Sequence, residues 1–280
     1  MKNPYLRLIR FDKPIGTLLL LWPTLWALFI AANGRPPLYA VIVFTLGVFL
    51  TRSAGCAIND YADIEFDKHV RRTKDRPLAS GEISKKKALL VCALFSGGAF
   101  ILAYTTLKIT TLLWSIPALV IFITYPFTKR FLAVPQAYLG IAYSFGILMA
   151  FIQLQNKLPG IALIIFTANF FWVIGYDTIY AMVDMKDDLK IGIKTSALTF
   201  GIYVVPIICA CYIIFAVLLG YMAFLMHFNL FFWISWLYAT FILAYQVKLA
   251  SKSSSLFRMF LLNNRVGCII FIGIILAYYT

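Results

Sequence analysis

Residues 52–77 read R-S-A-G-C-A-I-N-D-Y-A-D-I-E-F-D-K-H-V-R-R-T-K-D-R-P. Four carboxylates, Asp60, Asp63, Glu65 and Asp67, separate an apolar run from a loop rich in Lys and Arg. If one helix carries them, Arg52, Cys56, Asn59, Asp60, Asp63 and Asp67 fall within an arc of about 100°. Carboxylates spaced in this way repel by about 0.2–0.5 kcal/mol per exposed pair, and by more when desolvated. A chain that builds such a face at the end of an apolar run is expected to hold a cation there.

The apolar run that precedes this face is one of many. The chain has 280 residues, of which 62% are hydrophobic and 13% charged, and its mean hydropathy is +0.87. That composition excludes a soluble domain and predicts a polytopic, all-α membrane protein. Nine runs are long enough, or nearly so, to span as helices, near 15–32, 38–58, 88–107, 109–126, 133–152, 161–183, 203–226, 228–247 and 264–279. The first follows Lys2, Arg7, Arg10 and Lys13 and ends in Ala31-Ala32, which imitates a signal peptide; its length and Pro23 predict a retained span.

The net charge of +14 is not spread evenly. All of the 25 Lys and Arg except Arg35, Arg52, Lys108 and Lys157 lie in the N-terminal segment or in alternate loops. This asymmetry predicts a cytoplasmic N-terminus and an outer C-terminus, and it argues against a nucleic-acid partner. The five cysteines lie in apolar runs without metal-type pairing and read as packing residues. Residues 2–13 alternate basic and apolar side chains, as suits a segment in the headgroup region.

A second acidic face lies in N-F-F-W-V-I-G-Y-D-T-I-Y-A-M-V-D-M-K-D-D-L-K, residues 169–190. On a helix, Asn169, Tyr176, Asp177, Tyr180, Asp184, Asp187 and Asp188 share an arc of about 100–120°. An acid inside a span costs about 2.5–3.5 kcal/mol on insertion scales, so Asp177 must face protein, water or a ligand. A polar stripe that glues helices accounts for Asn169 but not for the four carboxylates. Asp60-x-x-Asp63 and Asp184-x-x-Asp187 are offset by 124 residues, each at the end of a span and each followed by a basic loop. Two four-span units plus a ninth helix are therefore expected within a single membrane domain, 1–280, with the loops near 59–87 and 184–200 carrying the site around a central cavity. Asn263-Asn264-Arg265, opening the last run, reads as a helix cap.

Carboxylates with amide and hydroxyl neighbours are oxygen donors, which suit Mg²⁺, and nearby Lys and Arg imply that the metal's partner is itself anionic. A diphosphate fits. A diphosphate site opening into a bilayer suggests a lipid-borne leaving group whose departure leaves a carbocation, so water must be kept away.

N-D-Y-A-D-I-E-F-D at 59–67 resembles the first aspartate-rich motif of the UbiA prenyltransferase superfamily, D-M-K-D-D at 184–188 its second, and Y-P-F-T-K at 125–129 its YxxxK. D-R-P-L-A-S-G at 75–81 and Y-D-T-I-Y-A-M-V-D at 176–184 are similar to the bacterial members that act on 4-hydroxybenzoate. The resemblance implies Mg²⁺-dependent transfer from a polyprenyl diphosphate to the ring of 4-hydroxybenzoate, in ubiquinone synthesis, at the cytoplasmic face of the bacterial inner membrane. It assigns Asn59, Asp63, Asp184 and Asp188 to Mg²⁺, with Asp60 and Asp67 supporting, and Tyr125 and Lys129 to the diphosphate. Arg52 is a candidate for the diphosphate or the acceptor's carboxylate, and Asp63, Asp184, Asp188, Arg52 and Lys129 form the expected catalytic set. Arg76, Lys13 and Lys194 are further substrate candidates, and the wheel adds Asp177 and Tyr180 as residues that orient the acceptor. Another acceptor (haem, homogentisate or a naphthoate) is the alternative within the family. An ion transporter fits poorly, because most acids sit at span ends and not at mid-depth.

Overall fold

Proline, glycine and small polar residues set the helix boundaries in the computed structural model, which describes residues 3–252 and 255–279. Lys2 and the outermost ends of the expected domain lie outside the described residues. The helices are α1 (Pro4–Leu8), α2 (Ile15–Ala31), α3 (Leu38–Ala62), α4 (Ile64–Asp67), α5 (Lys85–Thr106), α6 (Ile109–Thr128), α7 (Pro135–Gln155), α8 (Gly160–Ile191), α9 (Ser196–Phe200), α10 (Val204–Leu225), α11 (Leu230–Ala250) and α12 (Leu256–Tyr279). No strand occurs among the described residues. Ser84 caps α5 by accepting from the Lys87 N–H, Asn229 caps α11, and α8 stops at Gly192, whose φ of 73° few other residues adopt.

Eight helices among the described residues are long and apolar enough to cross a membrane. The first expected span is shorter: α2 has 17 residues, about 25 Å of helix, and contains Pro23. The expected run 264–279 begins too late, since α12 opens at Leu256. Asn263 and Asn264 are therefore mid-helix and do not form a cap. Asn263 accepts from Trp172 Nε1 (2.9 Å) and donates to Gln246 Oε1 (3.0 Å), which also accepts from the Tyr212 hydroxyl, while Asn264 accepts from Trp22 Nε1 (2.8 Å). These bonds sew α12 to α2, α8 and α11, and α11 in turn to α10, so the polar side chains at the edge of the apolar run are part of the helix interface.

The core is centred on Trp26, Trp172 and Phe215, stacked from α2, α8 and α10 with ring centroids 5.3–6.4 Å apart. Around it α2 packs against α7, α3 against α5, and α8 against both α7 and α10. The two motif-bearing helices, α3 and α8, thus each pair with the helix that follows their acidic end. All five cysteines are free.

Candidate active site

The two acidic faces line one cavity of about 1440 Å³. The first face does not lie on one helix. α3 ends at Ala62, Asp63 occupies the bend, and the short α4 carries Asp67. The break corrects the expected continuous wheel, and it turns Asp67 back so that one guanidinium reaches both ends of the motif. Arg76 Nη1 lies 2.7 Å from Asp67 Oδ2 and 3.4 Å from Asp60 Oδ1. Asp60 is fully buried, and its Oδ1 also accepts from Arg10 Nη2 at 2.6 Å. Arg10 belongs to the N-terminal segment, which is pinned further by Arg7 on Glu82. Residues 3–13 are thus packed against the basic loop, while Tyr5 and Phe11 remain exposed.

Asp63 Oδ2 accepts from Lys129 Nζ at 2.5 Å and from Asn59 Nδ2 at 3.2 Å. The α6 helix continues past Pro126, so Tyr125 and Lys129 share a face, with Nζ 5.9 Å from the Tyr125 ring centroid. Burial works to lower the Lys129 ammonium pKa, but Asp63 outweighs it and holds the group above its ordinary value. Burial raises the Asp67 carboxyl, with Arg76 opposing. For Arg76, burial is outweighed by Asp60 and Asp67, which keep it firmly charged.

The second face lies on one continuous helix, as the wheel expects. α8 presents Tyr176, Asp177, Tyr180, Asp184, Asp187 and Asp188 to the cavity. Asn169 is turned away and donates to Ser144 Oγ (2.9 Å), which is the helix-gluing role. The basic loop docks on this face. Arg72 Nε contacts both Asp184 oxygens at 3.0 Å, its guanidinium lies 4.6 Å from the Tyr180 ring centroid, and the Arg71 N–H donates to Asp187. Asp188 is buried and takes no part in any ion pair among the described residues.

Deeper in the cavity stands Arg52. Its guanidinium lies 6.0 Å from the Tyr143 ring centroid, and its Nε has no hydrogen-bond partner. The Tyr176 hydroxyl is likewise buried and unpartnered. A Cβ at Gly16 would fall 2.5 Å from Arg52 Nη2, so α2 makes room for this guanidinium with a residue that has no side chain.

Of the residues singled out in the sequence, Asn59, Asp60, Asp63, Asp67, Arg76, Tyr125, Lys129, Asp177, Tyr180, Asp184 and Asp188 converge on the cavity with Arg52, and exposed Lys13 stands at its rim. Lys194 does not line it. Its ammonium donates to the Phe131 carbonyl at 3.1 Å, bracing the turn after α6. Arg10, Arg72 and Tyr143 were not singled out in the sequence as site residues. Arg10 and Arg72 look like the other charges of basic segments, and only the fold brings them to Asp60 and Asp184.

The donors around the cavity are carboxylate, amide and hydroxyl oxygens, a set that suits Mg²⁺. Among the described residues no three acids, histidines or cysteines converge as a ready metal cage. Asp60, Asp63, Asp67 and Asp184 are instead neutralised by Arg10, Arg76, Lys129 and Arg72. An ion held by Asp63 and Asp184 would take the place of Lys129 and Arg72, freeing two cations for an anionic ligand in the same cavity.

Fold and site together define a helical membrane protein whose two acidic helix ends share a basic, aromatic-walled cavity. The chain belongs to the UbiA prenyltransferase family, whose description matches residues 20–276. It is 53% identical over 276 residues to the 4-hydroxybenzoate octaprenyltransferase of Nitrosomonas eutropha, covering 98% of this chain and 96% of the relative. It is 49% identical to the protein of that name from Cupriavidus pinatubonensis, with the same coverage. Among solved structures, an apo UbiA homologue from Aeropyrum pernix K1 superposes with a TM-score of 0.82 at 25% identity, over 94% of this chain and 98% of that one. A UbiA homologue from Archaeoglobus fulgidus bound to GPP and Mg²⁺ has the same fold, with a TM-score of 0.73 at 18% identity, over 99% and 100% of the chains.

Proposed function

We propose that this protein transfers a polyprenyl group from an allylic polyprenyl diphosphate to the ring carbon of 4-hydroxybenzoate ortho to the hydroxyl, releasing diphosphate and the proton displaced from that carbon, as a step of ubiquinone synthesis. The observation that carries this reading is the pairing of two acidic helix ends, each neutralised by Lys or Arg, above the half-buried Arg52 guanidinium, whose buried Nε donor is unused. The names of full-length relatives at about half identity support the same reaction, and the Archaeoglobus homologue binds a prenyl diphosphate with Mg²⁺.

Asn59, Asp63, Asp184 and Asp188 would hold Mg²⁺, with Asp67 supporting. Bound there, Mg²⁺ supplies charge stabilisation for a departing diphosphate. Lys129 and Arg72, displaced from their carboxylates, turn to the diphosphate oxygens, and Tyr125 positions it from the same face as Lys129. Arg76 and the rim residue Lys13 add positive charge. As the allylic C–O bond breaks, its electron pair goes to the diphosphate, and these cations are worth most in a cavity shut from water. Arg52, beside the Tyr143 ring and with its Nε donor unused, takes the acceptor's carboxylate. That seats the phenol ring toward Asp177 and Tyr180, which orient it. Asp60, fully buried with Oδ1 paired to Arg10 and Arg76 and Oδ2 left without a partner, positions the N-terminal segment and the loop in this reading.

In the membrane we place nine crossings, α2 included, with the N-terminus and the site on the cytoplasmic side of the inner membrane, in keeping with the alternation of Lys and Arg. The packing of α3 on α5 and of α8 on α10 supports two four-helix units plus α12 in one domain.

The test is prenyl transfer in membranes containing this protein, offered 4-hydroxybenzoate and a polyprenyl diphosphate, with Mg²⁺ and then with excess chelator. A 3-prenylated product that vanishes with chelator and returns with Mg²⁺ is expected. Diphosphate release without that product would overturn the acceptor, and neither product nor diphosphate from folded protein would overturn the reaction.

A further inference from the structure

A second cavity lies outside the site. It is a groove of about 360 Å³ between α11 and α12, walled by Tyr245, Leu249, Met259 and Leu262 and carrying Arg258 and Arg265. Seven residues apart, the two arginines stand on one face of α12, about 10 Å from each other along its axis. Both are exposed, and none of the ion pairs among the described residues involves either of them. The neighbouring face of α12, with Phe257, Phe260 and Asn264, walls the active-site cavity instead.

Above the groove the surface turns apolar and stays uncovered. Leu237, Phe241 and Tyr245 recur every fourth residue along α11, Ile272 follows Arg265 by two turns on α12, and all four are exposed. An unpaired guanidinium on the lipid-facing side of a span is unfavourable unless it finds an anion, and its fork of donors matches phosphate oxygens. Two such groups at the end of a span, beneath open apolar stripes, are complementary to an amphiphile with an anionic head.

We propose that this groove binds the phosphodiester headgroup of an anionic glycerophospholipid between Arg258 and Arg265, with the acyl chains lying along the exposed stripes of α11 and α12. The bound lipid ties α12, whose other face walls the site, to the surrounding leaflet.

The test places the full-length protein in nanodiscs of phosphatidylcholine with graded phosphatidylglycerol, reading retained lipid by native mass spectrometry and thermal midpoint in parallel. The unmodified protein is expected to retain phosphatidylglycerol preferentially, and R258Q/R265Q to lose about tenfold of that preference. K86Q/K87Q, which removes the same charge at the start of α5, is expected to keep it, and R258K/R265K to keep most of it. Unchanged retention in R258Q/R265Q overturns the proposal, and so does an equal loss in K86Q/K87Q, which would reduce the effect to bulk attraction. Inorganic phosphate added to phosphatidylcholine-only discs is expected to leave the midpoint unmoved. A rise that R258Q/R265Q abolishes would assign the groove to a free anion and overturn the lipid.

Discussion

Lys129 Nζ lies 2.5 Å from Asp63 Oδ2, joining the residue that caps α6 to the bend where α3 ends. One contact thereby couples the YxxxK motif to the first acidic motif across 66 residues of chain. The pair neutralises itself while the cavity holds protein groups alone, and on the proposed mechanism it separates when diphosphate and its metal arrive.

Lys129→Ala is expected to lower kcat/KM for the polyprenyl diphosphate by about 10²–10³, the scale of losing one preorganised electrostatic contact. Lys129→Arg should recover part of this. Steady-state kinetics with varied diphosphate checks it, and a value for Lys129→Ala within about threefold of the unmodified enzyme would remove Lys129 from the machinery.

Asp63→Asn and Asp60→Asn, three residues apart, should behave differently. The first is expected to raise the Mg²⁺ midpoint and cut turnover by about 10³ with the fold intact. The second leaves Arg10 and Arg76 facing a neutral amide at a fully buried position. It should cost roughly 3 kcal/mol of stability while the residual activity keeps its Mg²⁺ midpoint. Mg²⁺ titrations and thermal unfolding of both variants separate ion ligand from positioning residue.

Gly16→Ala should leave stability nearly unchanged, because the atoms its Cβ would meet are the mobile end of Arg52. Displacing that guanidinium is expected to raise KM for 4-hydroxybenzoate about tenfold, a loss of about 1.4 kcal/mol of binding, with KM for the diphosphate little altered. Equal KM changes for the two substrates would contradict the assignment of Arg52 to the acceptor.

Asn263→Leu removes the partner of Trp172 Nε1 and the donor to Gln246. Leaving the buried indole N–H unpaired should cost about 1–3 kcal/mol. Thermal unfolding is expected to show this cost without a change in either KM, since Asn263 lines no part of the cavity.

Hydropathy was enough to find the long helices but not the short α1, α4 and α9, because a bilayer demands runs of fixed apolar length that a residue scale registers directly. Its error at α12 has a local cause. Asn263, Asn264 and Arg265 look like the outer edge of a span, yet the first two spend their polarity on Trp172, Gln246 and Trp22. Those partners lie elsewhere in the chain.

The second acidic face was equally legible, since α8 is one uninterrupted helix and a wheel reports its true geometry. The same wheel failed on the first face, where the chain bends at Asp63 and Asp67 doubles back to Arg76. No spacing rule distinguishes Arg72 from Arg71, or Arg10 from Arg7, as the one whose guanidinium reaches a motif carboxylate.

The sequence by itself determined the membrane class, the approximate places of the long helices other than the start of α12, and the residue types of the two acidic motifs, because each follows from local composition and period. Only the tertiary structure decided which cation neutralises which carboxylate, that Asp60 is enclosed while Asp188 enters no ion pair, and that Arg52 keeps a free donor beneath them. These depend on distances between helices remote in the chain, and interhelical packing sets those distances.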